Sequence, residues 1–320
     1  MDLAIVVVSY NTRDLLATCL GSVAASLAGS DLRAQVIVVD NASADDSAAM
    51  VRERFPQAYL IANEDNVGFA AANNQALRWL GFGDGTYAPS PGELPRHVLL
   101  LNPDTEVRGP ALATLVRFLD THPRAGAAGA RLVYPDGRPQ HSAFGFPGIA
   151  QTFIEFFPLN HRLVNSRLNG RYPARWYEDG PFPVGHPLGA CLMVRREALE
   201  QVGLLDDRFY MYCEEIDWCM RIKRSGWGVY CVPQAEVVHH EARSTGQFRE
   251  KMFVALWRSR FLLYDTHYGP LRRWAIRHIV RLGVRRKMTQ ARHETMDAGQ
   301  RERQLAAYRE VMRMAGRIGR

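Results

Sequence analysis

The sequence predicts an α/β protein with a mostly parallel central sheet flanked by helices and a helical C-terminal extension. Three observations carry this reading. Short β-branched runs alternate with helically spaced apolar residues between positions 4 and 101. Apart from Gln35 and His97 at their starts, those runs are apolar throughout, as strands covered on both faces are. Beyond residue 250 the chain turns basic, and from Leu271 its apolar residues recur at helical spacing.

Ala4 to Val8 is the first strand and ends in Ser9-Tyr10-Asn11; Leu15, Leu16, Cys19, Leu20 and Val23 mark the helix after it. Gln35 to Val39 is the second strand and ends in Asp40-Asn41-Ala42-Ser43. Asp45 and Asp46 then open a helix, where negative charge suits the N-terminal dipole, and Ser43 is available as its cap. Tyr59 to Ala62 is the third strand, Phe69 to Leu80 the third helix, and His97 to Leu101 a fourth strand stopped by Asn102-Pro103-Asp104. Gly81 to Arg96, with four glycines and three prolines, reads as a surface loop. Ala130 to Tyr134 and the Pro135-Asp136-Gly137 turn suggest a hairpin. Residues 144–187 are rich in aromatics and proline without periodicity, and read as a loop region that shapes a pocket. Gly189 to Arg195 reads as a buried strand and Glu214 to Ser225 as a helix. Val229 to Val232 and Glu236 to His239 read as two short strands.

At 320 residues, 47% hydrophobic and 23% charged, the chain has the balance of a soluble globular protein with a sizeable core. No apolar run reaches the roughly 18 residues of a spanning helix. Met1-Asp2-Leu3-Ala4 lacks the basic start of a signal peptide. Five scattered cysteines, an odd number, fit a reducing compartment better than a disulfide framework. The expected location is therefore cytoplasmic. Of the net charge of +7, residues 271–320 contribute +10 (14 Lys or Arg against 4 Asp or Glu), leaving −3 for residues 1–270. A basic tail on an acidic body points to an anionic partner for the tail.

In an open parallel sheet, ligands bind beyond the carboxyl ends of the strands. Three such ends are polar here: Ser9-Tyr10-Asn11, Asp40-Asn41 and Asn102-Pro103-Asp104. Asp40 can accept from the N3–H of a uracil or thymine, or cap the next helix. Asn66-Val67-Gly68-Phe69 leads into a helix of small residues that includes Asn73, a start whose free N–H groups favour phosphate. Asp104-Thr105-Glu106 offers hard oxygen ligands suited to Mg²⁺ or Mn²⁺ with a diphosphate. Glu214, Glu215 and Asp217 gather acids at a helix start beside Tyr210, Tyr212 and Trp218, as a general-base site that packs a sugar on aromatic faces would. His239-His240-Glu241 follows a strand, and histidine is a common metal ligand. Cys213, Cys219 and Cys231 lack zinc-site spacing and read as small buried hydrophobes.

Val7-Val8-Ser9-Tyr10-Asn11, Val39-Asp40-Asn41-Ala42-Ser43, Asn66-Val67-Gly68-Phe69-Ala70, Leu101-Asn102-Pro103-Asp104 and Glu214-Glu215-Ile216-Asp217 occur in the order seen in family 2 glycosyltransferases. The chain resembles the rhamnosyltransferase-like branch over roughly residues 3–250. The resemblance implies a GT-A fold, a nucleotide-sugar donor, a divalent metal (Mn²⁺ or Mg²⁺) and inversion at the anomeric carbon. It implies a glycosyltransferase domain over 1–250, with a nucleotide-binding half to about 125 and an acceptor half beyond it, followed by the basic extension at 251–320. By position, Ser9 and Asn11 would line the nucleotide pocket with Tyr10 and Asn41 beside them, and Asp40 would hold the base. Asn66, Gly68, Asn73 and Asn102 would border the donor. Asp104 and His239 match metal ligands, with His240 as the competing histidine. Gly189 and Ala190 match a small-residue strand at the acceptor site, and Trp218 is expected there too. Glu215 stands where the family carries its catalytic Asp, one methylene longer; Glu214 and Asp217 are the alternatives. Rhamnose from a dTDP donor and a glycan or lipid-linked acceptor follow from the resemblance.

A nucleotidyltransferase would also bind nucleotide and metal, but needs a Gly- and basic-rich phosphate loop, and only Arg13 is basic after the first strand. A catalytically silent nucleotide-sugar binder would not need the acids at 214–217. A nucleic-acid-binding role would leave the five motifs unexplained, so no nucleic acid is expected. In the tail, Leu271, Ala275, Ile279 and Leu282 with Trp274 fall on one side of a helix, and Arg273, Arg277, Arg281 and Arg285 on another. Residues 271–287 are thus expected to lie on an anionic membrane surface, placing the enzyme peripherally on the inner face of the cell membrane.

Overall fold

The computed structural model describes residues 1–83, 94–240, 249–293 and 297–316. Part of the expected loop, residues 84–93, and Glu241 lie outside the described residues.

The N-terminal strands form as their composition demands. β1 (Leu3–Ser9) is buried at every residue. It pairs in parallel with β2 (Ala34–Asp40) on one side and β4 (His97–Leu101) on the other, and β3 (Tyr59–Ala62) extends the sheet beyond β2. α1 (Arg13–Ala28) covers one face through Leu16, Cys19, Leu20 and Val23, an i, i+3, i+4, i+7 spacing that lines one side of a helix. α2 (Ser47–Arg54) and α3 (Phe69–Trp79) complete the crossovers. Three parallel strand ends therefore meet at one sheet edge.

Past β4 the sheet becomes mixed. β5 (Thr105–Val107), α4 (Ala111–Thr121) and β6 (Ala125–Val133) follow in the chain, then the two-residue strands β7 (Ala143–Phe144), β8 (Phe182–Pro183) and β9 (His186–Pro187). β10 (Cys191–Arg195) inserts antiparallel between β4 and β6, and α8 (Arg196–Val202) and α9 (Glu214–Arg224) precede β11 (Gly228–His239). The spatial order is β3-β2-β1-β4-β10-β6-β11-β5. β10 runs backwards, so its start, not its end, lies beside the carboxyl end of β4: the Asn102 N–H donates to Ala190 O at 3.0 Å.

The two short strands expected at 229–239 are one strand. Its register against β6 shifts between Val232 and Glu236, which lets Pro233, a residue without an N–H, sit inside it. The expected hairpin at 130–137 is a turn closed by a single Val133–Pro139 bridge. The stretch read as loop, 144–187, contains α5 (Ile149–Phe156), the one-turn α6 (His161–Val164) and α7 (Trp176–Asp179). All five cysteines are buried and none forms a disulfide.

Two compact units result. One comprises Met1–Phe144, Pro173–Tyr210 and Glu214–Ser244 and holds the sheet; the other comprises Gly145–Tyr172, Met211–Cys213 and Thr245–Arg320. The second unit is helical, with α5 and α6 joined by α10 (Arg249–His267), α11 (Pro270–His293) and α12 (Ala298–Gly316). α11 buries Ile276, Val280 and Val284, and Gly283 lets the Phe156 ring approach where any Cβ would stand 2.2 Å from it. Among the described residues, no helix is long and apolar enough to cross a membrane.

Candidate active site

The site is built on the sheet edge where β1, β2 and β4 end and β10 begins. Asp40 closes β2, is almost fully buried, and accepts the Ser43 N–H at 3.0 Å on Oδ2. Its Oδ1 is buried without a hydrogen-bond partner. Such an oxygen is costly to bury unless a ligand supplies a donor. Ser43, expected to cap α2, instead accepts the Asn11 N–H; α2 starts four residues later, and Asp45 accepts the Ser47 N–H. Asn11 takes a left-handed conformation and its Oδ1 accepts the Ala44 N–H, tying the β1 and β2 ends together. Ser9 is fully buried, its hydroxyl engaged with that of Thr12, whereas Tyr10 is about half exposed.

Asn41 organises the next loop. Its Nδ2 donates to Asn66 Oδ1 and Gly68 O, and its Oδ1 accepts from Asn63 Nδ2 and the Val67 N–H. Gly68 has φ +88°, and a Cβ there would stand 2.6 Å from Tyr210, so only glycine lets that close approach occur. Asn73 is buried, and its amide donates to Phe69 O within α3.

At the far end of β4, Asn102 O accepts from the Thr105 hydroxyl. Asp104 follows, buried, with Oδ1 lacking any hydrogen-bond partner. That oxygen faces His239 Nε2 at 3.5 Å, while His239 Nδ1 lies 3.1 Å from Gln140 Oε1. With the amide oxygen accepting, the proton sits on Nδ1 and Nε2 presents a lone pair. Two lone-pair donors thus face each other across 3.5 Å, an arrangement that suits a cation between them. Asp104 and His239 therefore fit a divalent metal as two of its ligands. No cluster of three or more His, Cys, Asp or Glu forms among the described residues, which leaves further coordination to ligand oxygens and water. His240 turns away and pairs with Glu106 through Nε2 at 2.5 Å, so the two histidines serve different carboxylates.

The acids of α9 separate by environment. Glu215 is buried apart from a small exposed fraction, and burial pushes its carboxyl up to about 7. Glu214 is raised well above the ordinary range by burial and by the charge of Glu215, and its Oε2 has no partner. Asp217 is fully buried and bonded to Arg221 at 2.8 Å; Arg221 also donates to Val202 O and Leu204 O. Its carboxylate is thus engaged in holding α9 to the end of α8. His186 Nδ1 stands 4.0 Å from Glu215 Oε1 but donates to Pro187 O, and burial pushes the ring down to about 4. The ring is uncharged at neutral pH, so this approach is not an ion pair. Gly189 borders Glu215: a Cβ there would lie 3.4 Å from Glu215 Cγ, in van der Waals contact with it. Trp218, expected at the acceptor, is instead fully buried with its indole N–H donating to Gly203 O. It lies on the inward stripe of α9 with Ile222, so it is a core residue.

The start of β10 joins the two ends, since Ala190 O holds Asn102 and Gly189 borders Glu215. Residues 4–203 match the family model Glycosyl transferase family 2. The chain belongs to that family. This glycosyltransferase is 33% identical over 287 residues to an N-acetylglucosaminyl-diphospho-decaprenol L-rhamnosyltransferase of Mycobacterium tuberculosis (strain CDC 1551 / Oshkosh), covering 86% of this chain and 89% of the relative. It is 24% identical to rhamnosyltransferase WbbL of Escherichia coli (strain K12), over 58% of this chain and 66% of the relative. Its fold is similar to that of a mannosyltransferase from Pyrobaculum calidifontis solved with GDP-Man and Mn²⁺, with a TM-score of 0.54 at 17% identity over 99% of this chain and 84% of that one. The GT-A fold implied by the motifs is the fold observed.

Three residues that shape the site of this glycosyltransferase escaped the motif reading. Gln140 lies seven residues past β6 in a polar turn, where its sequence context gives no sign of His239. His186 looked like one residue of an aromatic-rich loop. Arg221 carried a signal that could have been used, an i,i+4 spacing from Asp217 on a helix.

Proposed function

We propose that this glycosyltransferase moves rhamnose from dTDP-rhamnose to a lipid-linked glycan acceptor by single displacement with inversion at the anomeric carbon. Glu215 carries the mechanism: a carboxyl poised near neutral pH and bordered by Gly189 is what a general base for an acceptor hydroxyl needs. The name of the M. tuberculosis relative supports both the sugar and the lipid-linked acceptor. The free Asp40 Oδ1 supports a thymine or uracil base, whose N3–H it would accept.

The acceptor hydroxyl gives its proton to Glu215 as its oxygen forms a bond to C1 of the sugar. The bond from C1 to the diphosphate breaks on the opposite face, and the nucleoside diphosphate leaves with the electron pair. Burial and the charge of Glu215 both favour the neutral form of Glu214, which suits Glu215 as the charged member of the pair. The Gly68 turn and the Asn41 network hold the donor side of the loop in one conformation. Asp104 and His239 would hold Mn²⁺ or Mg²⁺, and Gln140 fixes the His239 tautomer for that contact. When bound, the ion offsets the charge that grows on the departing diphosphate.

A lipid-linked acceptor places catalysis at the inner face of the cell membrane, with residues 271–287 against anionic lipid. The excess of +10 over residues 271–320 supports that attachment. The test is incubation with dTDP-rhamnose and a polyprenyl-diphosphate-linked N-acetylglucosamine. The reading expects acceptor-dependent release of dTDP and a rhamnosylated lipid. Release of pyrophosphate, or no transfer from dTDP-rhamnose while another nucleotide sugar is used, would overturn it.

A further inference from the structure

The helical unit contains a basic cavity that the catalytic reading does not use. It measures about 350 Å³ and is lined by Asp265 of α10 and by Arg273, Trp274, Arg277, His278 and Arg281 of α11. The lining holds three guanidinium groups and a single carboxylate. Asp265 bonds Arg277 at 2.7 Å and approaches Arg273 at 3.7 Å. Arg277 also donates to Met314 O and lies 4.7 Å over the Phe261 ring. The sequence places it among the arginines that reach the headgroups, but it is buried and structural. Arg281 meets no carboxylate among the described residues, so the cavity carries an excess of two positive charges.

The same helix leaves an apolar stripe uncovered. Leu271, Trp274 and Leu282 are 78%, 54% and 51% exposed. Residues at 271, 274, 278 and 282 fall on one side of a helix, so the stripe passes along the cavity mouth, where the Trp274 and His278 rings lie tilted against each other with centroids 4.9 Å apart. A free anion would answer the charge but leave the leucines in water. A phosphodiester attached to acyl chains answers both, and guanidinium groups suit phosphate geometrically.

We propose that this cavity seats the headgroup phosphate of an anionic phospholipid, with Leu271, Trp274 and Leu282 entering the lipid boundary. The proposal rests on the membrane attachment stated above and narrows it to one site. Arg281 and Arg273 supply the charge, Arg277 and Asp265 fix the wall, and Trp274 sits at the interface, where indole rings are favoured.

The test is co-sedimentation of the full chain with vesicles of phosphatidylcholine alone or mixed with phosphatidylglycerol. The wild type is expected in the pellet only with phosphatidylglycerol. Arg281→Ala is expected to lower partitioning about fivefold, the effect of one basic residue seated at the surface. Arg309→Ala, which removes the same charge from an exposed position outside the cavity, is expected to change it less than twofold. Leu282→Ser should weaken binding as Arg281→Ala does. Unchanged dTDP affinity and melting temperature establish that both cavity variants are folded. Equal losses for Arg281→Ala and Arg309→Ala would overturn the cavity site while leaving diffuse attachment standing. No sedimentation of the wild type with phosphatidylglycerol would overturn both. Inorganic phosphate that raises the wild-type melting temperature through Arg281 and releases the protein from vesicles would mark a small-anion site and overturn the lipid assignment.

Discussion

His239 Nδ1 lies 3.1 Å from Gln140 Oε1, and this hydrogen bond decides which ring nitrogen faces Asp104. Without it the ring can take the other tautomer and turn an N–H toward the carboxylate, closing the gap that suits a cation. Gln140→Leu should therefore lower Mn²⁺ affinity in the presence of dTDP by about 10- to 100-fold. Gln140→Glu, which keeps an acceptor at the same place, should restore it. Mn²⁺ titration followed by electron paramagnetic resonance reads both, and equal affinity in all three proteins would remove Gln140 from the site.

Asp104→Asn tests the carboxylate itself. The buried Oδ1 has no donor in the folded chain, so losing its charge should leave the melting temperature unchanged or raised. Acceptor-dependent turnover should fall by at least about 10²-fold, the scale of losing one charge-stabilising contact. A drop in melting temperature with turnover retained would mean that Asp104 is structural.

Asp40→Asn leaves one oxygen where two acceptors are needed, for the Ser43 N–H and for the base N3–H. Calorimetric affinity for dTDP should fall by about 10- to 100-fold, the cost of leaving one buried donor unanswered. A dTDP affinity within twofold of the wild type would place the base elsewhere.

Gly68→Ala puts a Cβ at positive φ and 2.6 Å from Tyr210. The strain and the forced shift should cost about 1–3 kcal/mol, visible as a lowered melting temperature. Tyr210→Ala removes the ring but not the backbone oxygen, so it should rescue the double variant only in part. Full stability of Gly68→Ala alone would show that the turn is not constrained as described.

The strands were legible because their apolar runs are unbroken: β3 and β4 begin and end where the sequence places them. The strand-end motifs were legible too, because Asp40 and Asp104 stand at the ends of strands whose direction follows from parallel pairing. What the sequence hid depends on hydrogen bonds, some local and some distant, that residue types do not announce. Ser9, Asn41 and Asn73 look like ligand groups, yet their polar atoms are engaged by Thr12, by the 63–68 loop and by Phe69. Trp218 is near Tyr210 and Tyr212 in sequence, but helical phase turns it inward with Ile222. In α11, Ile276, Val280 and Val284 face inward, while Leu271 and Leu282, on the side expected to meet lipid, face out. Two apolar stripes compete on that helix, and only its packing partners choose between them. Tyr212 and Cys213, both at positive φ just before Glu214, gave no sign in their residue types.

The account stands most directly on the pH dependence of kcat for the wild type and Glu215→Gln. Burial raises the Glu215 carboxyl to about 7, and only its deprotonated form accepts a proton, so wild-type kcat should fall as pH drops through 7. The same shift favours the neutral carboxyl in the folded state, so stability falls as pH rises from the ordinary carboxyl range to about 7, and Glu215→Gln should melt higher than the wild type above that pH. Glu215→Gln should lower kcat by at least about 10²-fold and abolish the acidic limb, with dTDP affinity nearly unchanged. An acidic limb that persists in Glu215→Gln, or a larger loss in Glu214→Gln or Asp217→Asn, would contradict Glu215 as the base.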